Sequence, residues 1–181
     1  NGTLIEQGAT RVLVDCGFSL RETERRLAAL GLSATNLAAL LVTHEHGDHV
    51  RGAGALARKY KTPLYSTFGT ARAVTGKAAG FHGADWREVR PGRTFELADM
   101  TVTPVTVPHD AREPVQFHLS AHGRRLGVVT DLGHPSAHVI QAFAGCDALI
   151  LECNHDRQML ADGPYPPRLK RRVGGDWGHL S

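Results

Sequence analysis

Thr43-His44-Glu45-His46-Gly47-Asp48-His49 follows directly on Leu40-Leu41-Val42. The uncharged run Ala39–Thr43 reads as a buried strand. Val50 to Tyr60 reads as a helix with a small-residue face of Gly52, Ala53 and Ala57. The histidine-rich segment therefore sits on a turn held at both ends by regular structure. In extended backbone, residues i and i+2 point to the same side, so His44 and His46 can reach one ion. As the chain turns into the helix, Asp48 and His49 are redirected towards a second point nearby. Three imidazoles and a carboxylate at this spacing suit Zn²⁺ or a similar borderline metal.

Outward from this turn, short apolar runs alternate with helical patterns, without repeats. Thr3–Glu6 and Arg11–Asp15 read as strands around the Gln7-Gly8 turn signal. Ser19 and Glu22 form a capping-box pattern; the helix they open is expected to carry Leu20, Leu27 and Leu30 inward and to stop at Gly31. Thr62–Thr67 is expected as a strand and Gly69 to about Lys77 as a helix. Arg93–Leu97 and Thr101–Val107 follow as strands, with Pro104 implying an edge or a bulge. Val115–Ala121 and Arg124–Thr130 form a hairpin across His122-Gly123. Ser136–Ala144 reads as a helix, Ala148–Leu151 as a buried strand, and Pro166–Val173 as a basic helix opened by prolines. Hairpins followed by strands with helices between them, twice over, predict an α/β fold. Two mixed sheets carry helices outside, an αβ/βα four-layer sandwich in one domain over residues 1–181.

The 181 residues are 41% hydrophobic and 22% charged, a globular composition. Twenty-one Lys and Arg against 18 Asp and Glu leave a net charge of +3, too small to mark a nucleic-acid binder by itself. Three cysteines, Cys16, Cys146 and Cys153, exclude a disulfide framework, so a cytoplasmic setting is the default. No apolar run approaches the roughly 18–20 residues of a membrane span, and Asn1-Gly2-Thr3 is not the start of a signal peptide. The unusual feature is the count of 11 histidines.

His44-Glu45-His46-Gly47-Asp48-His49 resembles the His-x-His-x-Asp-His signature of the metallo-β-lactamase superfamily. Val14-Asp15-Cys16-Gly17, Val107-Pro108-His109-Asp110, Val128-Val129-Thr130-Asp131 and Gly178-His179-Leu180-Ser181 are similar to its other motifs, in the same order. The resemblance implies two ions, one held by His44, His46 and His109, the other by Asp48, His49 and His179. It makes Asp131 the bridge and Asp15 the residue that orients a ligand histidine from behind. His82, His118, His122, His134 and His138 match no motif and are expected to be structural or solvent-facing. Cys16 is expected to be a small buried apolar residue.

The bridging aspartate speaks against antibiotic hydrolysis. Leu151-Glu152-Cys153-Asn154-His155-Asp156 and the run from Gly163 to Arg172 resemble the YycJ/WalJ-like branch. So do Asn1-Gly2-Thr3-Leu4-Ile5-Glu6 and Cys16-Gly17-Phe18-Ser19. That branch implies a phosphodiesterase acting on DNA, 5′-to-3′ exonuclease-like, through a hydroxide bridging two ions. Zn or Mn would serve, with Fe also suited. Asp48, Asp15 and His155 are the catalytic candidates, His155 for protonating the leaving oxygen or contacting a phosphate. Arg168, Lys170 and Arg171, with Arg172, are candidates for contacting phosphate. The alternative is a small-molecule hydrolase on the same metals: a cyclic phosphodiesterase, thioesterase or lactonase. No domain is inserted between Asp131 and His179 and no long arm is visible, which argues against tRNA. The branch carries chain before Asn1 and after Ser181, so the resemblance implies incomplete termini.

Overall fold

The computed structural model describes residues 1–77 and 79–181. Five strands form the first sheet in chain order: β1 (Thr3–Gln7), β2 (Thr10–Val14), β3 (Ala39–Leu41), β4 (Leu64–Ser66) and β5 (Trp86–Glu88). β1 and β2 pair antiparallel, and β2 to β5 run parallel. The second sheet comprises β6 (Phe95–Leu97), β7 (Met100–Thr106), β8 (Val115–Ala121), β9 (Arg124–Val129) and β10 (Ala148–Leu151), ordered β10-β9-β8-β7-β6. β6 to β9 are antiparallel neighbours and β10 runs parallel to β9.

Strand alternation builds the layers. Val12, Val14 and Leu41 of the first sheet meet Val102, Phe117 and Val128 of the second in one core. Leu13 and Leu40 point the other way, towards α1 (Leu20–Ala29) and α3 (Ala53–Tyr60), where Leu27 and Leu56 cover them. Behind the second sheet, Val105 and Val129 pack on Val139 and Phe143 of α5 (Ala137–Phe143). The expected four-layer arrangement of two mixed sheets is therefore the one observed. Four further short α-helices, α2 (Gly47–Val50), α4 (Phe68–Ala73), α6 (Arg157–Asp162) and α7 (Pro167–Val173), and one 3-10 turn, Ala34–Asn36, complete the described residues. Among the described residues, no helix is long and apolar enough to cross a membrane.

Several expectations need correction. Leu30 is 65% exposed, because α1 ends at Ala29 and its last turn rolls Leu30 off the sheet. The capping box forms only half. Ser19 Oγ accepts the Glu22 N–H at 3.3 Å, but the Glu22 carboxylate pairs with Arg25 and Arg26 instead. The strand Ala148–Leu151 exists but is not buried: it is the sheet edge, with Leu149 47% exposed. β7 lies inside its sheet, so Pro104 is not on an edge strand. β6 reaches only as far as Val102, so the missing N–H of Pro104 breaks no ladder bond, while its carbonyl accepts from Gly92 N–H at 2.7 Å. The helix expected to about Lys77 stops at Ala73, and the expected Val50–Tyr60 helix is broken at Arg51-Gly52. β5 and α6 were not expected; both are short and largely exposed, so they carry no hydrophobic period.

This topology brings strand ends to one rim. β2 and β3 are parallel, so the segments after Val14 and Leu41 emerge side by side. β7, β9 and β10 likewise end together, and Val115 N–H donates to the Thr43 carbonyl at 3.1 Å, stitching the two sheets. Truncating Phe117, wholly buried between the sheets, is expected to cost about 3–5 kcal/mol. Leu30→Ala should stay within about 0.5 kcal/mol. Urea unfolding of both variants checks this, and a large loss at Leu30 would contradict its outward placement.

Candidate metal centre

Asp15, directly after β2, lies in the left-handed region at φ 63° and is 1% exposed. Its carboxylate accepts the Thr43 N–H at 2.8 Å, the Thr43 hydroxyl at 2.9 and 3.0 Å, and the His49 Nδ1–H at 2.8 Å. Thr43 Oγ1 in turn lies 2.9 Å from His44 Nδ1, so the His44 ring donates to the hydroxyl and turns Nε2 outward. His109 Nδ1–H donates to the Gly178 carbonyl at 3.0 Å. With their other nitrogens held, His44 and His109 present Nε2 to a common point. His44 Nε2 lies 2.9 Å, and His109 Nε2 3.2 Å, from Nδ1 of His46.

Among the described residues, three groups of side chains could hold a metal ion: His44, His46 and His109; His44, His49 and Asp131; and Asp131, Glu152 and His179. Asp131 is common to two of them. One of its oxygens lies 3.0 Å from His49 Nε2, the other 3.3 Å from His179 Nδ1 and 3.9 Å from His109 Nε2. Oδ2 is buried without an aligned hydrogen bond, which suits a carboxylate facing a cation. Imidazole nitrogens converging on a carboxylate are a donor set for a divalent ion. Asp48 approaches from the side, its Oδ2 3.4 Å from His49 Nε2.

All seven residues expected as ligands thus lie at one rim, and Asp15 stands behind them. Glu152, to which no role was given, follows β10 as Asp131 follows β9. Its Oε2 accepts His179 Nδ1–H at 2.9 Å, while Oε1 accepts the backbone N–H of Leu132 and that of Leu180. A carboxylate immediately after a strand was the signal that could have found it. Between these groups lies a cleft of about 370 Å³ whose lining includes His46, Asp48, Asp131, His179, Asp110 and Arg172. Arg172 of α7 pairs with Asp110 there, and Asp110 Oδ1 is 3.6 Å from His46 and His109. Lys170 and Arg171 face elsewhere: they line a neighbouring cavity of about 1240 Å³ together with His155 and Arg157, and Lys170 also bonds the Ala161 carbonyl. Arg168 is exposed and lines neither cavity. His118 accepts from Arg125 Nε–H at 2.9 Å and His134 donates to the Asp176 carbonyl at 2.8 Å, both structural roles. Cys16 is buried.

A family model described as a beta-lactamase superfamily domain matches residues 10–181. The chain belongs to the beta-lactamase superfamily. Among superfamily relatives, it is similar to exodeoxyribonuclease YycJ of Bacillus anthracis, 35% identical over 170 residues, 94% of this chain and 64% of that protein. It is 33% identical to exodeoxyribonuclease WalJ of Streptococcus pneumoniae over 183 residues, 100% of this chain and 68% of the relative. The chain thus spans about two thirds of the length of these relatives. The fold is shared with Zn²⁺-bound PqqB from Methylobacterium extorquens, at TM-score 0.76 and 21% identity over 97% of this chain and 66% of that one. It is also shared with the metallo-beta-lactamase fold protein YhfI from Bacillus subtilis, at TM-score 0.71 and 20% identity, covering 99% and 69%.

The histidines divide electrostatically. Burial drives His44 and His109 below the usual imidazole range, His44 further lowered by the neighbouring imidazoles. Burial also acts to lower His49, but the Asp131 and Asp15 carboxylates outweigh it and carry the ring up to about 10. His179 is raised, chiefly by its hydrogen bond to Glu152. His49 therefore binds its proton more tightly folded than unfolded, and its stabilisation is complete below pH 6.5 and lost as pH rises through about 10. His44 and His109 do the reverse, losing stability as pH falls below 6.5. With a chelator present, the urea midpoint is expected to peak near pH 6.5. Asp15→Asn should flatten the alkaline side of that profile; an unchanged alkaline slope would contradict the coupling.

Proposed function

We propose that residues 1–181 form one domain of a cytoplasmic, dinuclear metal-dependent phosphodiesterase that degrades DNA in the manner of a 5′-to-3′ exonuclease. His44, His46 and His109 would hold one ion, and Asp48, His49 and His179 the other, with Asp131 shared. The observation that carries this reading is the placement of Asp131. Its two oxygens, 3.0 Å from His49 and 3.3 Å from His179, would let one carboxylate serve two ions. Zn²⁺ and Mn²⁺ both suit the donor set, and Fe²⁺ is compatible. When bound, such ions acidify water and neutralise charge developing on phosphate oxygens.

The chain's own groups supply orientation and charge. Thr43, Asp15, Glu152 and the Gly178 carbonyl hold four imidazoles by one nitrogen each, which fixes ring direction before substrate arrives. Arg172 stands at the cleft mouth, where its planar fork can exchange Asp110 for a phosphate. That local cation answers the weak overall charge of +3: a polyanion is drawn by the site rather than by the whole surface. His155, with Arg157, Lys170 and Arg171 in the adjoining cavity, would meet a leaving strand from that side. The names of the YycJ and WalJ relatives agree with a DNA substrate.

Digestion of 5′-labelled duplex DNA with added Mn²⁺ tests the reading. Release of nucleotides from the labelled end, abolished by chelation, is expected. Intact DNA alongside cleavage of bis-p-nitrophenyl phosphate or a thioester would overturn the nuclease reading. Arg172→Ala should raise KM for DNA about tenfold or more, the worth of a charge-assisted hydrogen bond of roughly 1.5–3 kcal/mol. Steady-state kinetics at fixed salt measure it, and an unchanged KM removes Arg172 from phosphate recognition.

A further inference from the structure

Four of the imidazoles at the rim are held from behind, but Asp48 has no such support. Its side chain is 69% exposed, against 27% for His46 and 23% for His179, and it lies in the first turn of the four-residue α2. Among the described residues its carboxylate has one hydrogen-bond donor, the Nδ2 of Asn1, at 2.9 Å from Oδ2. The same Nδ2 lies 2.9 Å from Nε2 of His49. A single carboxamide thus touches the inward atoms of two consecutive expected ligands.

The placement of Asn1 is built into the backbone. Its carbonyl accepts the Gly17 N–H at 2.8 Å. Gly17 in turn packs flat on the segment it faces: a Cβ there would lie 1.5 Å from the Asp48 carbonyl oxygen, so no other residue fits. Cys16 N–H donates to the His49 carbonyl at 2.7 Å, closing the same contact on its other side. The entry to β1, the turn after β2 and the start of α2 are therefore stacked directly on one another, with Asn1 on top.

We propose that Asn1 is a positioning residue for the second ion's site, holding the exposed carboxylate of Asp48 beside His49. The proposal rests on the two-ion reading above. An exposed aspartate samples several rotamers, and restricting it costs side-chain entropy that must be met when the ion binds. A carboxamide donor lowers that cost in advance without neutralising the carboxylate. It is also uncharged, so it yields the His49 nitrogen to a cation without repelling it. Partners that orient a metal ligand in this way are worth about 10–100-fold in affinity.

Calorimetric titration of the metal-depleted chain with Zn²⁺ tests this in the wild type, Asn1→Ala and Asn1→Gln. The wild type is expected to take two ions. Asn1→Ala should keep one ion at wild-type affinity and lose about 10–100-fold on the other, with the melting temperature of the metal-depleted chain unchanged. Asn1→Gln, which keeps the carboxamide on a longer stem, should recover part of the loss. Two ions in the wild type and two equally tight ions in Asn1→Ala overturn the role of Asn1 and leave the two-ion reading standing. A wild type that takes only one ion overturns that reading, and the proposal with it.

Discussion

The buried carboxylate of Asp15 is the junction on which the rim depends. It gathers the backbone and hydroxyl of Thr43 and the ring of His49, joining the end of β2 to the end of β3 and to the short helix beyond. The residue adopts a left-handed conformation to do so, a strain of order 1–3 kcal/mol for a residue with a Cβ. Hydrogen bonds to a charged acceptor, about 1.5–3 kcal/mol each, offset it. Without this junction the histidine-rich turn would be an ordinary polar loop between a strand and a helix.

The second sheet contributes through a different device. His109, Asp131 and Glu152 stand beyond β7, β9 and β10, three strands whose order places their ends together. The last loop then folds back, so that the Gly178 carbonyl orients His109 and Glu152 orients His179. A Cβ at Gly178 would lie 2.1 Å from the Arg172 carbonyl oxygen, so the loop closes only with glycine there. One sheet thus provides a rigid turn with four donors, and the other provides single side chains whose direction is set by a carbonyl or a carboxylate.

Charge is organised locally. Burial lowers His44 and His109, whereas hydrogen bonds to carboxylates raise His49 and His179, so neighbouring rings differ in proton affinity. Beside them the Arg172–Asp110 pair sets a guanidinium at the cleft mouth while the neighbouring basic residues of α7 face another cavity. A helix presents successive residues about 100° apart, so adjacent arginines in one run cannot all serve one cleft.

Local patterns made most of this legible. The strand before His44 and the hairpin at His122-Gly123 depend on residues near one another in sequence, and they appear as expected. β5, α6, the outward turn of Leu30 and the exposure of β10 were not legible, because each is decided by which neighbours cover it. The same holds for the hydrogen bonds of Glu152 and Asn1, whose partners lie 27 and 47 residues away along the chain, and for which residue of the basic run reaches the cleft, since Arg172 meets a partner 62 residues away. The sequence by itself determined the donor types, their order and the strands that carry them, since these follow from residue chemistry and backbone period. Only the tertiary structure decided which atoms face the cleft and what holds them there, because direction in space is set by packing between segments that no local pattern relates.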